Sequence, residues 1–386
     1  MKRSRKIGCL VVLAIPAVAL LYRHVPWPGE PYYPPAVAFE GESKDLQATV
    51  IIPTLDTPLP EHKNVVWCGT MQLAWNRLGT DVLHSPPDLE GADAVVERLN
   101  AAPLHDDDLA PKSFFATAGY VKDGIIDQIQ KEMQSQFQRE VRLESPKEAD
   151  AIIAYSYLQS HIAFSIPFFE NDEPLTFTDS SGKETNVSSF GIRRKDDYAY
   201  RELREQVELI YQEPRYTHDG RPNEFILDLC HDSETDQLIV ACVPPQPTLA
   251  ETIEDVNSKI REIDEKRRKQ DVFGRWTLSS IDVLLVPNMN WTIDHRFSEL
   301  EGPEHSFKNS GFEGNYVYTA AQMIRFQLDR SGAELASEAK LRCKPMRTFF
   351  VFNRPFLLFM RKRGQEQPFF ALWVDNADLL SKPNAQ

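Results

Sequence analysis

The chain has 386 residues, of which 42% are hydrophobic, enough for one large domain or two ordinary ones around a sizeable core. Its formal net charge is −14. No basic stripe is present to neutralise phosphates, which argues against a nucleic-acid partner.

The N-terminus opens with a basic head, Lys2-Arg3-Ser4-Arg5-Lys6, followed by an apolar run from Ile7 to Tyr22. Residues 1–22 therefore read as an export signal. Ala17-Val18-Ala19 offers a small-residue cleavage site; left uncleaved, the run is short for a span but can hold as an anchor. Either route places the body outside the cytoplasm, secreted or membrane-anchored, with any membrane contact made through this segment. Five cysteines do not form a disulfide framework. Cys230 and Cys242 fall out of register on the two arms of one hairpin, so no bridge between them is expected.

Residues 23–63 are Pro-rich and weakly patterned, with one strand candidate at Ala48–Ile52. "NVVWCGTMQLAWNRL", from Asn64 to Leu78, has Trp67, Met71, Ala74, Trp75 and Leu78 at helical spacing and predicts a buried helix. Residues 79–112 are loop-like. Ser113 to Gln138 predicts one helix with a stripe of Ala118, Val121, Ile125, Ile129 and Met133. Asp150 to Phe164 reads as a long buried strand, and "FTDSSGKET" as a turn between strands.

Glu224 to Pro244 predicts a β-hairpin turning at Ser233–Asp236. Thr248 then opens a helix, with Glu251 three residues on as in a capping box and Leu249, Ile253, Val256, Ile260 and Ile263 facing inward. Further strands are expected at Ile281–Val286, Ala320–Leu328, Thr348–Lys362 and Pro368–Val374. Helices alternating with antiparallel pairs imply an α+β fold, with one domain over residues 64–380.

Motifs for catalysis are absent. Cys230-His231-Asp232 places neighbours on opposite faces of a strand end, so thiol and imidazole cannot act on each other. His105-Asp106-Asp107-Asp108 lacks the spaced ligands of a cation loop and reads as solvated. No phosphate loop, metal-cysteine pair or nucleophile elbow occurs. The chain is not expected to be an enzyme or to carry a cofactor or metal.

The most distinctive stretch lies near the end. Read as a strand, Ala333 to Cys343 puts Ala333, Leu335, Ser337, Ala339, Leu341 and Cys343 on one face. Glu334, Ala336, Glu338, Lys340 and Arg342 fall on the other. The same residues suit an edge strand or an amphipathic helix end equally well. "FVFNRPFLLFM" follows, from Phe350 to Met360.

That motif resembles the C-terminal signature of the serpins, with Phe352, Asn353, Arg354, Pro355 and Phe356 at its centre. "AAQMIRFQLDRSGAELASEA", from Ala320 to Ala339, is similar to the serpin strand that leads into the hinge of the reactive-centre loop. "VLLVPNMNWTIDHRFSELEG" at 283–302 is similar to a further serpin segment. The resemblance implies a large central β-sheet with additional antiparallel sheets and surrounding helices. It further implies a monomeric protease inhibitor whose loop is cut by a serine or cysteine protease and inserts as an extra strand.

Gly332, Ala333, Glu334, Leu335, Ala336 and Ser337 would be the hinge. Counting from Gly332 places the scissile residue at Met346; counting back from Asn353 gives Lys344. Arg342 and Arg347 would suit trypsin-like enzymes. Leu335 and Glu338 are large for a hinge. Cys68 or Met71, and Gln322, stand where the family has a buried Ser and His. The N-terminal half is short for the family, which favours the alternative of a non-inhibitory binding or structural protein of the cell envelope.

Overall fold

The computed structural model describes residues 34–383, apart from 103, 144–150, 161, 163, 193–202, 214–220, 270–275 and 332–347. In chain order the first elements are β1 (Phe39–Glu42), β2 (Thr49–Ile51), β3 (Asn64–Cys68), α1 (Thr70–Arg77), α2 (Asp93–Ala101), β4 (Phe114–Tyr120), α3 (Ile125–Phe137) and β5 (Ile152–Leu158). The middle supplies β6 (Phe169–Glu170), β7 (Leu175–Thr178), β8 (Glu184–Val187), β9 (Ser189–Ile192), β10 (Glu208–Gln212), β11 (Phe225–Asp228), β12 (Asp236–Cys242) and α4 (Leu249–Lys269). The last third supplies the strands β13 (Val283–Pro287), β14 (Met289–Arg296), β15 (Ala321–Leu328), β16 (Phe349–Val351), β17 (Phe356–Lys362) and β18 (Pro368–Val374). The fold is α+β.

A seven-stranded sheet, ordered β10-β11-β12-β17-β18-β3-β2, forms the largest layer. A three-stranded sheet, β1-β14-β15, packs on it through Trp291 and Phe326, with Phe326 stacked on Phe370 of β18 at 4.8 Å between ring centroids. A four-stranded sheet, β16-β13-β9-β6, and the pairs β4-β5 and β7-β8 complete the strands. α1 contacts β4, β5 and β15. α3 closes a separate small cluster, with Ile125, Ile129 and Met133 buried against Phe115, Ile153 and Tyr155.

Several expectations hold. The hairpin of β11 and β12 pairs Phe225 with Cys242 and Asp228 with Ile239. Cys230 and Cys242 are buried free thiols. The Glu251 N–H donates to Thr248 Oγ1 at 3.1 Å, capping α4, whose Leu249, Ile253, Val256 and Ile263 are buried. β7 and β8 flank the turn at Asp179–Lys183, where the Asp179 carboxylate accepts from the Ser181 and Lys183 amides.

Others are corrected. Asn64–Leu78 is not one helix: Asn64–Cys68 is a strand buried at every residue between β2 and β18, and the helix begins at Thr70. Gly69 makes the joint, since a Cβ there would lie 2.4 Å from Leu104 Cδ2. Ser113–Gln138 likewise splits into β4 and α3 at Gly124, whose φ of +82° suits glycine. Ala118 belongs to the strand, and Ile125, Ile129 and Met133 alone make the helix stripe. Residues 79–112 hold a helix, α2, with Val95, Val96 and Leu99 buried. Thr348–Lys362 forms two strands in different sheets rather than one.

The stretch read as a linker contributes β1, parallel to β14, and β2, parallel to β3. The described fold thus starts before residue 64. Among the described residues no helix is long and apolar enough to cross a membrane; residues 1–22 lie outside them.

Asn64 ties this N-terminal addition to the end of the chain. Its fully buried amide donates to Thr49 Oγ1 (3.2 Å) and Asn376 Oδ1 (3.0 Å), and its carbonyl accepts from the amides of Asp375 (2.8 Å) and Asn376 (2.9 Å). Asn64→Ala orphans both buried amides, so urea unfolding should show a loss of roughly 2–4 kcal/mol. A change under 1 kcal/mol, on the scale of a surface substitution, would mean that water replaces these bonds.

Candidate functional site

β15 alternates strictly. Gln322, Ile324, Phe326 and Leu328 are buried, while Ala321, Met323, Arg325 and Gln327 face out. Among the described residues β15 pairs only with β14, and β5 only with β4. Both strands meet α1 at one residue. Ser156 of β5 donates to the Thr70 carbonyl, and the Gln322 side-chain amide donates to Thr70 Oγ1 and, at 3.0 Å, to the Cys68 carbonyl. Thr70, between Cys68 and Met71, thus supplies the hydroxyl that meets Gln322. Cys68 packs its thiol 3.6 Å from Thr70 Oγ1, and burial pushes that thiol up from its ordinary pKa.

Past Leu328 the chain is clamped. Asp329 accepts from the Gln327 side chain at 2.6 Å and from the Ser331 amide at 2.9 Å. The Arg330 carbonyl accepts from the Phe168 amide at 2.8 Å, and Arg330 Nε returns a bond to the Phe168 carbonyl at 3.0 Å. Nearby, burial raises the Glu170 carboxyl, opposed by a hydrogen bond from Asn288 and the charge of Arg330.

The chain is clamped again at the far end of the intervening segment. Asp282 accepts from the amides of Thr348 (3.0 Å) and Ser279 (2.7 Å), and β16 then runs parallel to β13. Residues 332–347 thus join a strand of the three-stranded sheet to a strand of the four-stranded sheet, fixed on both sides.

The signature residues are structural. Phe350 and Phe352 both pack on Phe225, at 5.3 and 5.0 Å, and Phe352 meets Phe356 at 5.3 Å. Between them Asn353 offers its carbonyl to the Thr178 amide at 2.9 Å. Arg354 donates to the carbonyls of Pro222 and Asn223 at 2.9 and 2.7 Å. Pro355 has no N–H to give a ladder, so the chain leaves β16 and enters β17 of another sheet there.

The hinge candidates Gly332, Ala333, Glu334, Leu335, Ala336 and Ser337 lie outside the described residues, as do Arg342, Lys344, Met346 and Arg347. Cys230 is fully buried and its thiol is driven far up by burial first and the Asp228 charge second. Burial likewise pushes Cys242 up to about 12. His231 faces Glu208 Oε2 at 2.6 Å. Asp106–Asp108 forms a single 3₁₀ turn in which Asp106 pairs with Arg77. Among the described residues no group of three or more His, Cys, Asp or Glu side chains is placed to hold a metal. Asp282, Asp329 and Thr70 went unsingled in the sequence, because each acts through partners distant along the chain or through backbone atoms.

Asp282→Ala should free the downstream clamp. It leaves the buried Thr348 amide without an acceptor, so stability should fall by roughly 1–3 kcal/mol. Limited proteolysis should at the same time quicken near Thr348. Unaltered nicking there, with stability lost, would show that β16 alone fixes the segment.

No family model matches the chain, and no curated protein sequence matches it. Solved structures do. Protease nexin-1, solved with heparin, is 11% identical, covering 82% of this chain and 92% of that one at a TM-score of 0.45. Serpin48, a highly specific serpin of the insect Tenebrio molitor, is 11% identical over 81% of this chain and 92% of that one, at a TM-score of 0.41. Human thyroxine-binding globulin complexed with its hormone is 11% identical over 81% and 92%, at a TM-score of 0.40. In these comparisons the chain is similar to serpins.

Proposed function

We propose that the chain is an exported, serpin-like protease inhibitor that offers residues 332–347 as bait and traps the protease when the cut segment inserts beside β15. The observation that carries this reading is the double clamp. A segment of alternating pattern is fixed at Asp329–Ser331 and at Thr348, next to a strand edge that no described residue covers. Leaving Ser331 and reversing, the segment would pair antiparallel with β15. Its inward residues Leu335 and Leu341 would each contribute roughly 1.5–3 kcal/mol on burial.

Chain reach explains why insertion would need a cut. The eight residues of β15 span about 27 Å. Met289 at the start of β14 pairs with Leu328, so β13 and its partner β16 lie past the end of β15. A strand filling the β15 edge would use about eight residues after the turn. The six or so left before Thr348 reach at most about 20 Å, too little to return past β15. Hydrolysis removes this restraint, and the hinge side is then free to move.

A covalent, denaturant-resistant complex on mixing with a protease panel tests the proposal. Cleavage is expected between Met346 and Arg347, because attack after Lys344 would precede Pro345, whose fixed φ and missing N–H suit few proteases. A new N-terminus at Thr348 would move the bait to Arg347 and the target to trypsin-like enzymes. A stable complex with no cut between 340 and 349 would remove the mechanism.

Two further outcomes separate this reading from a non-inhibitory serpin-like binding or structural protein, which the short N-terminal half favours. The cut form should melt well above the intact one, since insertion adds a strand; an unchanged midpoint favours the non-inhibitory reading. Ala333→Arg would force an unpaired charge into the sheet at several kcal/mol, on the order of 2–7. That variant should be cleaved as a substrate without trapping the protease, whereas undiminished trapping would rule out insertion in this register.

A further inference from the structure

One feature has no part in the loop mechanism. A cleft of about 340 Å³, at the small end of ligand sites, opens between the turn after β2, one face of α2, and the 3₁₀ turns near Glu299 and His305. Its floor is apolar, made by Pro53, Ala92 and Val95. Arg98 forms one wall. Among the described residues its buried Nε has no hydrogen-bond partner and its guanidinium no ion pair. This contrasts with other half-buried arginines: Arg267 pairs with Glu208, and Arg363 with Asp228.

Glu299 stands on the same cleft and, among the described residues, also has no ion pair with Arg98 or another cation. Two opposite charges therefore share one small cavity without neutralising each other. The third charged candidate is already committed, since His305 Nδ1 bonds the Glu90 carbonyl at 3.0 Å. The walls are held in shape independently of any ligand: Glu90 N–H donates to the Ser306 carbonyl at 2.9 Å, and Leu89 bridges to Phe307.

We propose that this cleft binds an aliphatic α-amino acid, with the carboxylate on Arg98, the ammonium toward Glu299 and the side chain on the Pro53–Ala92–Val95 floor. A guanidinium offers a planar fork that matches a carboxylate bidentately. A buried donor without a partner gains more from such a ligand than a solvated one, because its desolvation is already complete. The cleft lies on the turn after β2 and on α2, apart from the clamps at Asp329 and Asp282, so binding would proceed with or without a bait loop.

The test is isothermal titration of the full chain with L-leucine, isocaproate and isopentylamine. Leucine should bind, isocaproate should bind about tenfold more weakly for want of the ammonium, and isopentylamine should not bind. Arg98→Gln should abolish leucine binding while leaving the thermal midpoint of the unliganded protein in place, because Arg98 has no partner to lose. Glu299→Gln should bring leucine down to the level of isocaproate. Undetectable leucine binding to the parent chain, undiminished binding to Arg98→Gln, or binding of the amine without the acid would each overturn the proposal. Equal binding of leucine and isocaproate would overturn the role given to Glu299.

Discussion

Everything distinctive here depends on one constraint: a short segment is fixed at both ends in different sheets. Upstream, Arg330 locks the chain to Phe168, and Asp329 holds the turn through the Ser331 amide. Downstream, Asp282 holds the Thr348 amide. Neither clamp is strong by itself, since a net hydrogen bond contributes only about 0.5–1.5 kcal/mol. Their effect is geometric: they set the length of chain, residues 332–347, that joins the two sheets.

The aromatic crossing behind the downstream clamp makes this geometry rigid. Phe350, Phe352 and Phe356 converge around Phe225, itself fully buried on β11. The crossing links the four-stranded and seven-stranded sheets through the same few residues that the sequence motif contains. Arg354 finishes the knot from the outside by bonding two carbonyls just before β11. The motif is therefore a packing and topology signal, and its chemistry lies in placing β16 where the segment must end.

Legibility in the sequence followed the range of the forces involved. The α4 helix was readable because its cap is local and its stripe keeps one period, and the β11–β12 hairpin because its turn residues flank two apolar runs. β3 and β4 misled because their residues also fit helical spacing. Neighbouring strands claimed them instead: β2 and β18 for β3, and β5 for β4. Period alone cannot reveal such pairing. The clamp at Asp282 was hidden because its partner Thr348 lies 66 residues away. The cleft at Arg98 was hidden for the opposite reason, since what marks it is a contact that is missing.

β5 and β15 belong to separate sheets and are linked through α1. What joins the two strands there is polar and sparse: Ser156 to the Thr70 carbonyl, and Gln322 to Thr70 and Cys68. The buried Gln322 Oε1 has no partner, so even this contact is half satisfied. Parting the strands would give up two or three net hydrogen bonds, on the order of 1 kcal/mol each. If the segment inserts beside β15 as proposed, it would add a ladder along that edge and bury two leucines at roughly 1.5–3 kcal/mol apiece. On the reading proposed above, these few bonds would be a minor barrier beside the reach of the uncut chain. On that reading the resistance of the intact form would lie in its tether at Thr348, and far less in the contacts on Thr70.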